Sequence, residues 1–133
     1  MSISVCVCPE RNPRAAAIVA GLLEQDRALE VTRCASGAEG SAQGSAAAEG
    51  GTDVVVIPVG LPDMRDLTHV RGALRHHPAA AIIVLSLYQD SSFMQLLREA
   101  GASGFLALDE VVYELPRMIR RLVAARTALP QAI

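Results

Sequence analysis

Four sets of residues in this chain have the types and spacing to do chemistry. Cys6 and Cys8 stand two apart in "ISVCVCP". Glu10 and Arg11 follow at once in "ERNP". Asp63 lies in "DVVVIPVGLPDM", beyond a strand-like run that ends at Pro58. His69, His76 and His77 crowd one helical stretch. On a strand the two cysteines face the same side, but a zinc site would need a second ligand pair at matching spacing. Cys34 makes the cysteine count three, which argues against a disulfide framework and leaves small, buried apolar side chains as the reading. His69 and His76 can share a helix face, yet two ligands without a carboxylate or thiolate partner make a poor site. They read as surface histidines, and no metal or cofactor is expected. No G-x-x-x-x-G-K-[ST] or G-x-G-x-x-G loop follows any strand, and no Ser/His/Asp order suggests a hydrolase. An enzyme is not expected.

The elements that must position these residues are legible in outline. A chain of 133 residues, 51% hydrophobic, suits one domain with its own core. A net charge of −2 points to neither nucleic acid nor an anionic membrane. No apolar run is long enough to span a bilayer, and no basic segment leads into a signal-peptide core, so the expectation is a cytoplasmic protein. Strand-like segments at 3–8, 29–34, 53–57, 80–87 and 104–108 alternate with helix-like segments at 12–25, 66–78, 90–101 and 114–126. Asn12 and Pro13 mark a helix start, and Gly101 marks a stop. The β-branched "DVVVI" run reads as a strand buried on both faces. A parallel crossover also requires a helix between the second and third strands. The segment there, Ala35 to Gly51, is almost all Ala, Gly and Ser, and predicts a frayed helix at a weak edge. The pattern implies an α/β, three-layer (βα)5 domain with a doubly wound five-stranded parallel sheet, flavodoxin-like in topology. Its chemistry should sit at the carboxyl ends of the strands.

Three stretches resemble a known family. "DVVVIPVGLPDM" resembles the third strand and following loop of response-regulator receiver domains, the CheY-like fold. "IIVLSL" is similar to their fourth strand, and "REAGASGFLALDE" to their fifth-strand motif. "ERNP" stands where the NarL/LuxR type has Asp-Asp-His-Pro. The resemblance covers about residue 3 to about residue 124. It implies two-component signalling, in which a histidine kinase phosphorylates an aspartate at the tip of strand three. Pro58 stands at that position and has no nucleophile. The acidic pair that holds magnesium in the family is matched by Glu10 and Arg11, which leaves little of the oxygen shell magnesium demands. Leu108 stands in place of the family's strand-five lysine and offers no charge. Ser86 keeps the switch hydroxyl, and Phe105 keeps the aromatic ring of the switch; each also reads as ordinary strand-end polarity or core packing.

The resemblance therefore implies a degenerate pseudo-receiver with no catalytic residue, whose assets are surfaces. In the family, the fourth helix (90–101 here), the fifth strand and the last helix form a partner face, and NarL-type members also use the first and last helices. Arg117, Arg120 and Arg121 on the last helix suit an acidic partner or a second copy. The expected domain is 1–126, with 127–133 a tail or the start of a linker to an output domain. The leading expectation is signalling through protein contacts or dimerisation, with a DNA-binding output domain as a regulated partner and no direct contact with nucleic acid or membrane. The alternative is a small molecule in the pocket around Pro58, Leu108 and Leu87. A third, minor reading is phosphorylation at Asp63 or Glu10.

Overall fold

The computed structural model describes residues 2–33, 51–61 and 63–128. In chain order it contains β1 (Ile3–Val7), α1 (Pro13–Leu23), β2 (Leu29–Arg33), β3 (Val54–Pro58), α2 (Arg65–His76), β4 (Ala81–Ser86), α3 (Ser91–Ala100), β5 (Gly104–Ala107) and α4 (Val111–Ala128). A single 3-10 turn, Leu108–Glu110, leads into α4. The helix expected between the second and third strands falls on residues outside those described, as does Cys34. The five strands form one parallel sheet in the order β2-β1-β3-β4-β5. That is the doubly wound arrangement with its switch point between β1 and β3. Among the described residues, no helix is long and apolar enough to cross a membrane.

The period of two along each strand builds two cores from one sheet. Val5, Val7, Val54, Val56, Ile83 and Leu85 face α1 and α4, where Val19, Leu23, Leu115 and Ile119 meet them. Cys6, Cys8, Val55, Ile57, Ile82 and Val84 face α2 and α3, where Val70, Ala73 and Leu97 meet them. Cys6 and Cys8 are thus apolar packing elements on one face.

Local chemistry sets the helix boundaries. The Asn12 side chain accepts the Ala15 N–H at 3.2 Å, with Pro13 in the first turn. Asp90 caps α3 by accepting the N–H groups of Ser92 and Phe93. Gly101 closes α3 at φ +127°, a conformation that side-chain-bearing residues rarely adopt. The last helix differs from the expected 114–126. It starts at Val111, contains Pro116 and runs through Ala128. Val111, Leu115 and Ile119 recur every four residues and are all buried in the first core. Their burial outweighs the weak helix propensity of "VVY". Pro116 sits within the first two turns, so it forfeits a single bond near the helix start.

Candidate functional site

Pro58 is the last residue of β3 and is buried. Its register partner on β4 is Leu85, but the pairing of β3 with β1 ends two residues earlier, at Val7 and Val56. The Val59 N–H donates to Leu85 O at 2.7 Å, toward β4. Amide direction alternates along a strand, so the N–H that proline lacks would have pointed toward the chain leaving β1, where the Cys8 N–H donates to Val56 O at 2.9 Å. Proline is tolerated at such a place because it forfeits a single bond at the very end of the strand. The position is a filled strand end without a nucleophile.

The loop after β1 and the start of α2 meet beside it. The Arg11 guanidinium donates through Nε to Asp66 Oδ1 at 2.7 Å. The Asp66 side chain is 0% exposed and that of Arg11 is 15% exposed. The other Asp66 oxygen accepts the Asp63 N–H at 2.8 Å, while Asp63 Oδ1 accepts the Arg65 N–H at 2.9 Å. Asp66 thus reaches back as the acid of a capping box does, while Asp63 takes the Arg65 N–H and its own carbonyl accepts the Asp66 N–H at 2.9 Å, which closes the start of α2. Glu10 Oε1 lies 3.1 Å from His69 Nδ1, one turn further along α2. Two neighbours on the loop therefore meet two residues on one helical face, acid to base and base to acid.

This arrangement corrects two expectations. His69 is not a lone surface histidine: it is largely buried against Glu10. His77 is buried as well, at 7% exposure. Burial, and to a lesser degree the neighbouring His76, lowers its pKa below the usual 6.5. Asp66 had no signal of its own in the sequence except its place three residues after Asp63, the spacing of a cap. Asp63 is more open, and its carboxyl is held below the ordinary range, first by the Arg65 N–H and then by the Arg65 guanidinium, with Arg11 contributing less. Among the described residues, no buried side-chain nitrogen or oxygen lacks a hydrogen-bond partner.

The other sequence-selected residues are more dispersed. Ser86 ends β4, and its hydroxyl donates to the Tyr88 carbonyl at 3.0 Å. Phe105 is partly buried on β5, with the Arg98 guanidinium 5.0 Å from its ring centroid. Leu108 packs, partly buried, on the first core. The whole chain contains no lysine, so no other lysine can supply the counter-charge that Leu108 lacks. Leu87 is 66% exposed and does not close over Pro58, which corrects the expected pocket. Among the described residues a groove of about 280 Å³ lies farther out, lined by Leu61, Tyr88, Asp90 and Phe93. Arg117, Arg120 and Arg121 are exposed on α4. Arg120 is already paired within the chain, to Asp26 in the loop after α1. The Ala28 N–H, followed by that arginine, holds the Asp26 carboxyl below its ordinary range.

No family model matches the chain. It is 40% identical over 84 residues to the transcriptional regulatory protein KdpE of Mycobacterium tuberculosis, a match covering 60% of this chain and 37% of that protein. It is 29% identical over 74 residues to the response regulator GacA of Pseudomonas aeruginosa, covering 56% of this chain and 35% of that one. The chain thus spans about a third of the length of the curated relatives it matches. A two-component response regulator of the LuxR family from Aurantimonas superposes with a TM-score of 0.74 at 24% identity, over 95% of this chain and 88% of that one. The fold is that of a response-regulator receiver domain. In this receiver-like domain Pro58 ends β3, Glu10 and Arg11 follow β1, and Leu108 follows β5.

Proposed function

We propose that this receiver-like domain is a signalling module that no longer transfers phosphate and acts through protein–protein contact. The observation that carries this reading is the pairing of a buried Pro58 with an Arg11 that is engaged by buried Asp66. The first removes the nucleophile. The second sets a fixed monovalent cation beside the strand end where a divalent ion would need carboxylate oxygens. Its relatives regulate transcription, so within a longer regulator the domain would govern an output domain through dimerisation or docking. The faces for this are α3, β5 and α4, which expose Leu96, Val112 and Tyr113, or α1 and α4, with Ile18 exposed. The test is an amide NMR titration with magnesium and then beryllofluoride. No saturable shift at Glu10, Val59 or Ser86 is the expected result. Saturable shifts there, or acetyl-phosphate labelling lost in Asp63→Asn, would overturn the proposal.

The groove supports a second reading, in which a small molecule sets the association state of the domain. It lies at the carboxyl end of the sheet, where doubly wound folds bind ligands. An association constant that changes with ligand would support it. An association state independent of any groove-bound ligand would refute it.

A further inference from the structure

We infer that the groove between the β3 and β4 connections is a binding site for a small organic cation with an apolar body. This inference rests on the second reading above for its biological use, though not for the site itself. The walls are Leu61, Tyr88 and Phe93, and the charged group on the rim is the Asp90 carboxylate. The whole chain has two Tyr, two Phe and no Trp, so two of its four aromatic side chains border one groove. Aromatic faces combined with a carboxylate favour a cation over an anion, because the ring quadrupole and the full charge attract in the same sense.

The main chain that carries the walls is held by hydrogen bonds. The Leu87 N–H donates to Gly60 O at 3.0 Å, which ties the residue before Tyr88 to the residue before Leu61. The Ser86 hydroxyl holds the Tyr88 carbonyl. Asp90 Oδ1 takes the N–H groups of Ser92 and Phe93, which sets the first turn of α3 and with it the Phe93 ring. The main chain of such a site loses little freedom when a ligand enters. Its volume of about 280 Å³ is at the lower end of small-molecule pockets, so the fitting ligand is a compact amine or quaternary ammonium carrying one ring or a short chain. Ser86 is then a positioning residue for the groove, a role separate from phosphate switching.

The test uses the intact chain, 15N-labelled, with three probes that share one ring: benzyltrimethylammonium, benzyl alcohol and benzoate. The expected result is saturable shifts of the Tyr88, Asp90 and Phe93 amides with the cation, weaker binding of the alcohol and weakest binding of benzoate. Asp90→Asn keeps a capping oxygen and removes the charge. It should weaken the cation about five-fold and leave benzyl alcohol unchanged. Tyr88→Leu keeps an apolar wall and should also weaken the cation several-fold. Equal affinity for the three probes, equal losses for all probes in Asp90→Asn, or shifts scattered away from the groove would overturn the assignment. Sedimentation with saturating benzyltrimethylammonium separates the two claims. Binding without a change in association state leaves the site standing and removes the sensing reading, whereas failure to bind removes the site.

Discussion

Replacing Arg11 with methionine is the most direct test of the claim that an internal ion pair has taken over the loop after β1. The substitution keeps the aliphatic stem and removes the guanidinium. Asp66, fully buried, then loses its partner at 2.7 Å and keeps only the Asp63 N–H at 2.8 Å. Stripping one partner from a buried pair costs about 3–5 kcal/mol, because the remaining charge stays in a poor solvent. Arg11 retains 15% exposure, so water can reach the rim of the site and the lower end, about 3 kcal/mol, is expected. For a chain of 133 residues that is a fall of about 10 °C in Tm. The companion variant is Arg11→Met with Asp66→Asn. The neutral amide still accepts the Asp63 N–H but leaves no buried charge, so the double variant should recover roughly half of the loss. Urea denaturation at pH 7, with slopes compared so that only midpoints are interpreted, reads both values. If Arg11→Met lies within about 0.5 kcal/mol of the parent, Asp66 is not a desolvated anion and the argument fails. A double variant no more stable than the single one would show that packing, not charge, sets the cost.

Other outcomes follow from individual residues. His77 resists protonation in the folded state, whereas the unfolded chain takes up the proton near the usual 6.5. Between those two pKa values the unfolded state binds more protons, so stability should fall as pH drops through 6.5. His77→Leu should flatten that slope in denaturation midpoints measured between pH 7.5 and 5.5, and an unchanged slope would reassign it elsewhere. Gly101→Ala forces a β-carbon onto φ +127° and to 2.8 Å from the tip of Leu74. The Leu74 tip can turn aside but the backbone cannot, so a loss of about 2 kcal/mol is expected by chemical denaturation, and a neutral result would refute the strain argument. Pro58→Asp should stay unlabelled by acetyl phosphate and gain no magnesium dependence in Tm while Arg11 holds Asp66. Labelling of that single variant would show that the acceptor alone had been missing.

The parallel sheet was legible because "DVVVI" and "AAIIVLSL" are apolar on both strand faces, which only a sheet covered on both sides explains. Asn12, Pro13 and Gly101 likewise act through their own backbone, so their effects can be read locally. The start of α4 was not legible. Val111 and Val112 fell between the expected strand 104–108 and helix 114–126, because only the packed structure shows Val111 joining Leu115 and Ile119 in one buried stripe. Within the site, Pro58 was visible as a missing nucleophile, since that is a property of one side chain. The partners of Glu10 and Arg11 were not visible, because Arg11 and Asp66 are 55 residues apart and nothing in either neighbourhood names the other. The groove was misplaced for a related reason. Leu87 was assumed to point inward beside Ser86, but the bond from Leu87 N–H to Gly60 O holds a connection in which Leu87 faces solvent and Tyr88 and Phe93 form the walls.

On the proposed reading a tethered cation stands where a bound one would, and this changes what the domain can respond to. A divalent ion held by several carboxylates is a ligand, and its occupancy is linked to whatever else binds there. A guanidinium on the same chain has no concentration, so its pairing with Asp66 cannot be titrated by the surroundings. The Ser86 hydroxyl is likewise engaged with the Tyr88 carbonyl, and Phe105 lies against Arg98. Arg11, Ser86 and Phe105, which the family resemblance would connect to a phosphorylation site, each engage another part of the chain instead. A ligand can shift a conformational equilibrium only by the difference in its affinity for the two states. Control of such a domain must then enter where the structure still offers free binding energy. Among the described residues such places include the exposed apolar side chains of α1, α3 and α4 and the aromatic groove beside Asp90. The two make opposite demands on a single experiment. If the faces alone matter, benzyltrimethylammonium leaves the association constant untouched in the parent and in Asp90→Asn; if the groove sets the equilibrium, the probe changes that constant and Asp90→Asn moves the change to about five-fold higher probe concentration.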